Sequence, residues 1–241
     1  MGKVILSGAA PLAKVPGGTK LKEIAVGSTL SLNVDGVSTE FLVVHQGNPD
    51  SSVYDESCNG TWLMAKDIYE NRQWHSSNVN DYANSTIHKY LNGTFFNQLD
   101  ENLQSVIKEV KIPYRAGSGY STTVTKGANG LSTKVFLLSA TEVGAKQTYM
   151  PYKEGVELSY FSGCVDNAAD DKRIAYLNGS ATIWWLRSPN CNSNLGGVNA
   201  MFVNSDGNLS HDRCGSGSWG IRPVFIMPSD LIVDGDGNII V

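Results

Sequence analysis

Charge is scarce in this sequence. Only 17% of its 241 residues are Asp, Glu, Lys or Arg, and the formal net charge is −4; an average soluble domain carries about 25% charged residues. Basic residues are scattered singly and 23 acidic groups outnumber 19 basic ones. No Lys/Arg stripe exists to collect phosphates, so no nucleic-acid partner is expected. Long apolar runs are also missing. Stretches such as Val135 to Leu138 and Ile183 to Leu186 are strand-sized, far below the roughly 18 residues that cross a bilayer, and no membrane insertion is expected. The first ten residues hold one Lys and few strongly apolar residues before Ser7, too little for the core of a secretory signal, which points to synthesis in a cytoplasm. Cysteine is limited to Cys58, Cys164, Cys191 and Cys214, with no C-x-x-C pair and no His at ligand spacing. No zinc site, and no other metal or cofactor, is expected. Cys191 and Cys214 meet only if the segment between them closes on itself, and a reducing compartment favours free thiols.

What is abundant is turn chemistry. Gly (25), Ser (25) and Asn (20) make up about 29% of the chain, which favours loops over long helices. With 41% hydrophobic residues the chain can still bury a real core. Residues 1–22, with Pro11, Pro16, Gly17 and Gly18, read as an arm or tether, or equally as a frayed terminus. Residues 23–241 read as one domain. Leu30, Leu32 and Val34 alternate, Asp35-Gly36 supplies a turn, and Ser38 to Val44 continues as a second strand, which predicts a hairpin. Trp62 to Met64 suggests a third buried strand. Tyr82, Ile87, Tyr90 and Leu91 predict a helix closed by Asn92-Gly93. Leu99, Leu103, Val106, Ile107 and Val110 predict a second helix with Asp100 as N-cap. Ser139-Ala-Thr-Glu142 has capping-box spacing before a very short helix. From Thr182 onward the pattern returns to strands, with a turn at Asp206-Gly207, a strand from Gly220 to Met227 and a last hairpin from Leu231 to Val241. The expected class is α+β, a mixed or antiparallel sheet carrying two packed helices and a loop-rich C-terminal half.

One segment departs from the rest. Of the 29 residues from Asn190 to Ser218, 16 are Asn, Ser or Gly, where the chain average predicts about eight. The same segment has no Lys, Glu, Gln or Trp and a single Met, where four or five such residues are expected. Substituting the two adenines of an Asn codon reaches Ser, Thr, Tyr, His, Asp, Gly, Arg and several apolar residues, but never Lys, Glu, Gln, Met or Trp. The deficit fits adenine-directed rewriting; a polar loop short of long side chains gives the same pattern. The flanks, Ile183 to Pro189 and Gly220 to Pro228, are apolar strands with one Arg each beside a Pro. Arg187 and Arg222 are expected to be held by backbone carbonyls or a carboxylate rather than to bind ligand.

Trp185-Leu-Arg-Ser-Pro189 and Gly220-Ile-Arg-Pro223 resemble the signature strands of C-type-lectin-like domains from Firmicutes and their phages. Cys58-Asn-Gly-Thr-Trp62, Tyr69 to His75, Tyr90 to Thr94 and Lys111 to Tyr114 are also similar to that family, in order, over most of the chain after about residue 27. Some members are variable proteins of diversity-generating retroelements. The resemblance implies a C-type-lectin-like fold, a non-enzymatic role, and a mutable face recognising a bacterial surface protein or glycan. By position, that face draws on Asn190, Asn192, Asn194, Leu195, Asn199, Phe202, Asn204, Asp206, Asn208, Ser210, His211, Asp212 and Arg213. It departs from the family's Tyr-rich appearance, since this segment holds no Tyr; Asn and Ser give adaptable but weaker contacts. The resemblance further implies a virion protein, made in the host cytoplasm and attached or oligomerised through the N-terminal arm.

Three rivals remain. A structural virion or surface module predicts that Asn190 to Ser218 is covered. A cysteine-dependent oxidising enzyme needs a low-pKa thiol, and no neighbour of Cys191 or Cys214 supplies one by spacing; His75 with Asp81, and His211 with Asp212, are the only suggestive acid/base neighbours. A calcium-dependent lectin lacks its Glu-Pro-Asn and Trp-Asn-Asp signatures, and Asp234 to Asn238 is better read as a tight turn than as a calcium loop.

Overall fold

The alternation of Leu30, Leu32 and Val34 buries one side of the strand Thr29–Val34. Asp35 and Gly36 both adopt positive φ, 53° and 75°, the two-residue turn that matches strand twist, and the chain returns as the strand Val37–Gly47. The computed structural model that shows this describes residues 18–146, 151–191, 197–234 and 239–240.

Two five-stranded sheets organise those residues. In the first, the order is Val135–Phe136, Val224–Met227, Gly60–Ala65, Val37–Gly47 and Thr29–Val34, all antiparallel. Every residue of Gly60–Ala65 and Val224–Met227 is buried because both faces are covered. Phe41, Val43, Leu63 and Phe225 enter one apolar core; Leu42, Val44, Trp62, Met64 and Ile226 enter the other. In the second sheet the order is Leu209–Arg213, Asn199–Val203, Trp184–Pro189, Ser218–Ile221 and Glu70–Gln73. Trp184–Pro189 and Ser218–Ile221 run parallel there, and the other pairs are antiparallel. The single strand expected from Gly220 to Met227 is two, Ser218–Ile221 and Val224–Met227. Arg222-Pro223 divides them, and the chain passes from one sheet to the other where proline cannot donate a ladder hydrogen bond.

The α+β, C-type-lectin-like arrangement with two packed helices is corrected. Strands make up 35% and helices 16% of the structure, several antiparallel sheets are present, and among the described residues there is one substantial helix. That helix is a continuous run, Thr86–Tyr90, Leu91–Phe95 and Phe96–Gln98, whose middle part is π-helical. Ser85 caps it by accepting from His88 N–H at 3.2 Å. Asn92-Gly93 does not end it, because the Asn92 amide is used elsewhere. Its Nδ2 donates to His88 O (3.1 Å) and Val135 O (2.8 Å), and its Oδ1 accepts from Lys134 N–H at 2.9 Å. The π-turn is the local widening that lets Asn92 stitch the helix to the strand Val135–Phe136. The second predicted helix is only Glu101–Val106, capped by Asp100 as expected. Its apolar stripe is shared among structures: Leu99 bridges to Val34, and Val110 begins the strand Val110–Ile112.

Residues 18–22, assigned above to the arm, join the folded body. Thr19–Lys20 pairs with Ile232–Val233, which pairs in turn with Ile239–Ile240, and Leu21 is fully buried. The rest of the arm, residues 1–17, and the tip of the Asp-Gly loop, residues 235–238, lie outside the described residues. All four cysteines are free thiols.

His88, on the helix, is half-buried and shares a 3.2 Å contact with Thr133 Oγ1. Burial lowers its pKa from 6.5, and burial lowers His45 likewise. A depressed His pKa means the unfolded chain binds the extra proton first, so stability is lost as pH falls below about 6.5. Buried Glu154 is shifted upward by burial and works in the opposite direction, its contribution being lost as pH rises through its folded value. Unfolding midpoints in urea between pH 7 and 5 will fall less for His88→Gln than for the parent; parallel curves would rule out the His88 contribution.

Candidate functional site

The frame of the candidate site is the strand Trp184–Pro189, all six residues of which are buried. A guanidinium in such a strand needs compensation, and Arg187 receives it from Glu142 through two short contacts, Nη1 to Oε2 at 2.6 Å and Nη2 to Oε1 at 2.7 Å. It also donates to the carbonyls of Leu137 (2.8 Å) and Pro113 (3.1 Å). Burial by itself lowers the Arg187 pKa, but the charge of Glu142 overrides it and the pKa lies above the ordinary arginine value. The predicted capping-box residues orient the carboxylate: Ser139 N–H donates to Glu142 Oε2 at 2.8 Å and Glu142 N–H donates to Ser139 Oγ at 3.0 Å. The reciprocal pair closes a turn rather than a helix. Tyr54 O–H adds a donor to Glu142 Oε1 at 2.8 Å. Arg222 is likewise held by carbonyls, Ala65 O at 3.0 Å and Lys66 O at 2.6 Å.

The base of the Asn190 to Ser218 segment is pinned to this frame by residues the sequence did not single out. Asn80 Nδ2 donates to Asn190 O at 3.3 Å, Asn80 Oδ1 accepts from Gly119 N–H at 2.8 Å, and Arg115 Nη2 donates to Asn80 O at 2.6 Å. Tyr152 O–H donates to Pro189 O. These act across long sequence separations with no local pattern, whereas in the frame the spacing of Ser139 and Glu142 was an advance signal.

The described part of the segment is a hairpin, Asn199–Val203 paired with Leu209–Arg213, the second strand forming the open edge of its sheet. Met201, Val203 and Leu209 are buried and fasten it to the core. At the tip, Asp206 accepts from Asn208 N–H at 3.0 Å, and Gly207 sits at φ 83°. The tip is docked: Leu209 N–H donates to Asn167 O at 3.2 Å and Arg173 Nη1 to Gly207 O at 3.4 Å.

The pairing divides the candidate residues between two faces. Asn199, His211 and Arg213 lie on the side of Met201, and Phe202, Ser210 and Asp212 on the other. Asp206 and Arg213 are exposed, and Asn190, Asn204, Asn208, Ser210, His211 and Asp212 are half-buried. Two residues turn inward. Phe202 is 8% exposed and stacks edge-on against Trp185 with centroids 6.0 Å apart, and Asn199 is 7% exposed and shares a 3.0 Å hydrogen bond with His211 Nδ1. Asp212 Oδ2 accepts from Trp219 Nε1 at 3.2 Å. Burial lowers the His211 pKa. Asn192, Asn194 and Leu195 lie outside the described residues.

The thiols are poorly placed for nucleophilic chemistry. Burial pushes Cys58 and Cys214 up to about 12 and Cys164 up to about 11, and burial raises Cys191 as well. Among the described residues no group of three or more His, Cys, Asp or Glu side chains is arranged to hold a metal ion, and no helix is long and apolar enough to cross a membrane.

Fold and site together define a mostly β protein in which a rigid, buried ionic frame carries a polar hairpin at a sheet edge. The chain belongs to the family described as Domain of unknown function (DUF6273), whose model matches residues 59–229. No curated protein and no solved structure matches it.

Proposed function

We propose that the chain is a non-enzymatic ligand-binding protein that uses the solvent-reaching side chains of the edge hairpin, Asn204 to Arg213, at its tip and on both sides of its outer strand, to recognise a bacterial surface protein or glycan. The observation that carries the reading is the contrast within Leu209–Arg213. Leu209 is buried while Ser210, His211, Asp212 and Arg213 reach solvent on an edge strand whose backbone register is fixed by five residue pairs. Exposed positions such as Asp206 and Arg213 accept substitution at about ±0.5 kcal/mol each, so specificity can change there while the frame persists; His211 and Asp212 also hold Asn199 and Trp219. Asn199 and Phe202 then serve as supports rather than contacts. Burial of the thiols weighs against a cysteine-dependent enzyme. The sequence resemblance and the codon-like deficit in Asn190 to Ser218 support a phage-encoded, diversified receptor-binding role on a virion.

Replacing Ser210 and Arg213 together by alanine, which removes no partner of a buried group, will leave thermal unfolding within a few degrees of the parent and sharply reduce retention of labelled protein on Gram-positive cells that the parent binds. Unchanged retention would place recognition elsewhere. At the DNA level, the diversification reading requires a near-copy of this segment differing at adenines beside a reverse-transcriptase gene.

A further inference from the structure

Four arginines are buried, Arg115, Arg173, Arg187 and Arg222, and each leaves one guanidinium nitrogen without a hydrogen-bond partner among the described residues. Their surroundings differ. Arg187 is clamped by the Glu142 carboxylate. Arg222 is held by two carbonyls and lies over the Trp184 ring, 4.7 Å from its centroid, with no carboxylate in ion-pair contact, and its Nη1 is unpartnered. It also lines a cleft of about 300 Å³ on the other sheet from the hairpin, between the Thr29 edge and the segment 160–176.

The wall of that cleft has a specific charge pattern. Lys66, Lys172 and Arg222 face Glu40 and Asp67, an excess of one positive charge. Lys66 and Glu40 already neutralise each other at 2.7 Å, and Asp67 Oδ1 accepts from Tyr176 N–H at 3.1 Å. Lys172 Nζ touches only a carbonyl in the described structure, Ser162 O at 2.7 Å. With Lys66 paired to Glu40, the remaining surplus of one positive charge is shared by Arg222 and Lys172, the Asp67 charge acting on Arg222 from a distance without touching it. Tyr160, Ile174 and Tyr176 supply apolar and aromatic surface beside them.

We propose that this cleft binds a small monoanionic ligand, a carboxylate carried on a body of about monosaccharide size, with the carboxylate between Arg222 Nη1 and Lys172 Nζ. Arg222 is 2% exposed, so the carboxylate reaches it only as the cleft wall, which includes the half-buried Tyr160, opens to admit it. A doubly charged phosphate is disfavoured, because the wall carries a surplus of only one positive charge. Volume sets the size class, since about 300 Å³ is the lower end for small-molecule pockets. Burial lowers Arg222 to about 10, so the guanidinium is still charged at neutral pH, and an anionic partner recovers part of that desolvation cost.

The carboxylate is found both on acidic sugars and on amino-acid derivatives, and calorimetric titration of the full chain separates them. The probes are sodium glucuronate, N-acetylglycine, methyl glucoside as the uncharged control, and inorganic phosphate. Saturable binding of glucuronate or of N-acetylglycine, with methyl glucoside and phosphate silent, is the expected result, and the preferred carboxylate identifies the source. Lys172→Ala, at an exposed position, will weaken that binding about tenfold or more, the usual loss for a hydrogen bond to a charged group, without changing thermal unfolding. Arg222→Lys will do the same if it folds; if it does not, Lys172→Ala and the methyl glucoside control still decide the matter. Phosphate binding in preference to both carboxylates, no carboxylate binding at 50 mM, or binding indifferent to Lys172→Ala would overturn the proposal.

Discussion

Replacing Glu142 with alanine will lower the unfolding free energy by about 3–5 kcal/mol, the cost of stranding one member of a buried ion pair. Arg187 and Glu142 both have fully buried side chains, so water cannot take over the lost contacts. The carbonyls of Leu137, Pro113 and Glu154 remain for the guanidinium, and the buried Glu154 carboxylate, with Oε1 3.9 Å from Nε, offsets only part of the lost charge. Glu142→Gln keeps the shape and part of the hydrogen bonding but loses the charge, and will cost less, about 1.5–3 kcal/mol. The exposed pair makes the control: Lys66 and Glu40 approach to 2.7 Å with side chains about half exposed, and Lys66→Ala will cost no more than about 1 kcal/mol. Urea unfolding at pH 7 reads all three. A loss below about 1 kcal/mol for Glu142→Ala would mean that the carbonyl cage and Glu154 together hold Arg187 without it.

The same pair shows how far the sequence could be read. That Arg187 and Arg222 are held by carbonyls or a carboxylate of the chain followed from their apolar strands, but which carboxylate would meet Arg187 did not. Glu142 lies 45 residues away, and nothing local marks it except the spacing to Ser139. Strands were legible where alternation or apolar runs were strong, as in Thr29–Val34, Gly60–Ala65 and Trp184–Pro189. Helices were over-read, because residues at spacings of three and four satisfy a helix and also a turn followed by a strand. Leu99 to Val110 is the second case: six helical residues, then an extended link to Val110–Ile112. Asn92-Gly93 looked like a helix stop because the sequence does not show that Asn92 has four partners waiting on residues 133–135 and on His88. In the candidate segment, the hairpin turn was legible from Asp206-Gly207. The inward turn of Phe202 and Asn199 was hidden, because a strand covered on both faces carries no alternation to read.

Gly207→Ala will be among the most damaging single changes in the hairpin, at about 3–5 kcal/mol, which in a chain of this size lowers the melting temperature by roughly 10 °C. Two costs combine. The residue sits at φ 83°, where an L side chain costs about 1–2 kcal/mol, and an added Cβ would overlap the backbone oxygen of Asp170 and come within 2.8 Å of its nitrogen. Gly36 isolates the first cost: φ is 75° and nothing lies within 4 Å of an added Cβ, so Gly36→Ala will cost only about 1–2 kcal/mol. The comparison also divides the Gly, Ser and Asn excess of the segment into two parts with different causes. Gly197 packs on Gly119, Gly207 on Asp170, Gly215 on the Ser77–Asn78 backbone and Gly217 against the Trp219 ring. These glycines are there because a Cβ does not fit. Asn204, Asp206, Asn208 and Ser210 have no such constraint at their accessible side chains. In a library randomised at residues 206–208, folded clones will therefore keep Gly207 while Asp206 and Asn208 vary. Folded clones with a bulky residue at 207 would show that the tip is looser than its packing on Asp170 implies.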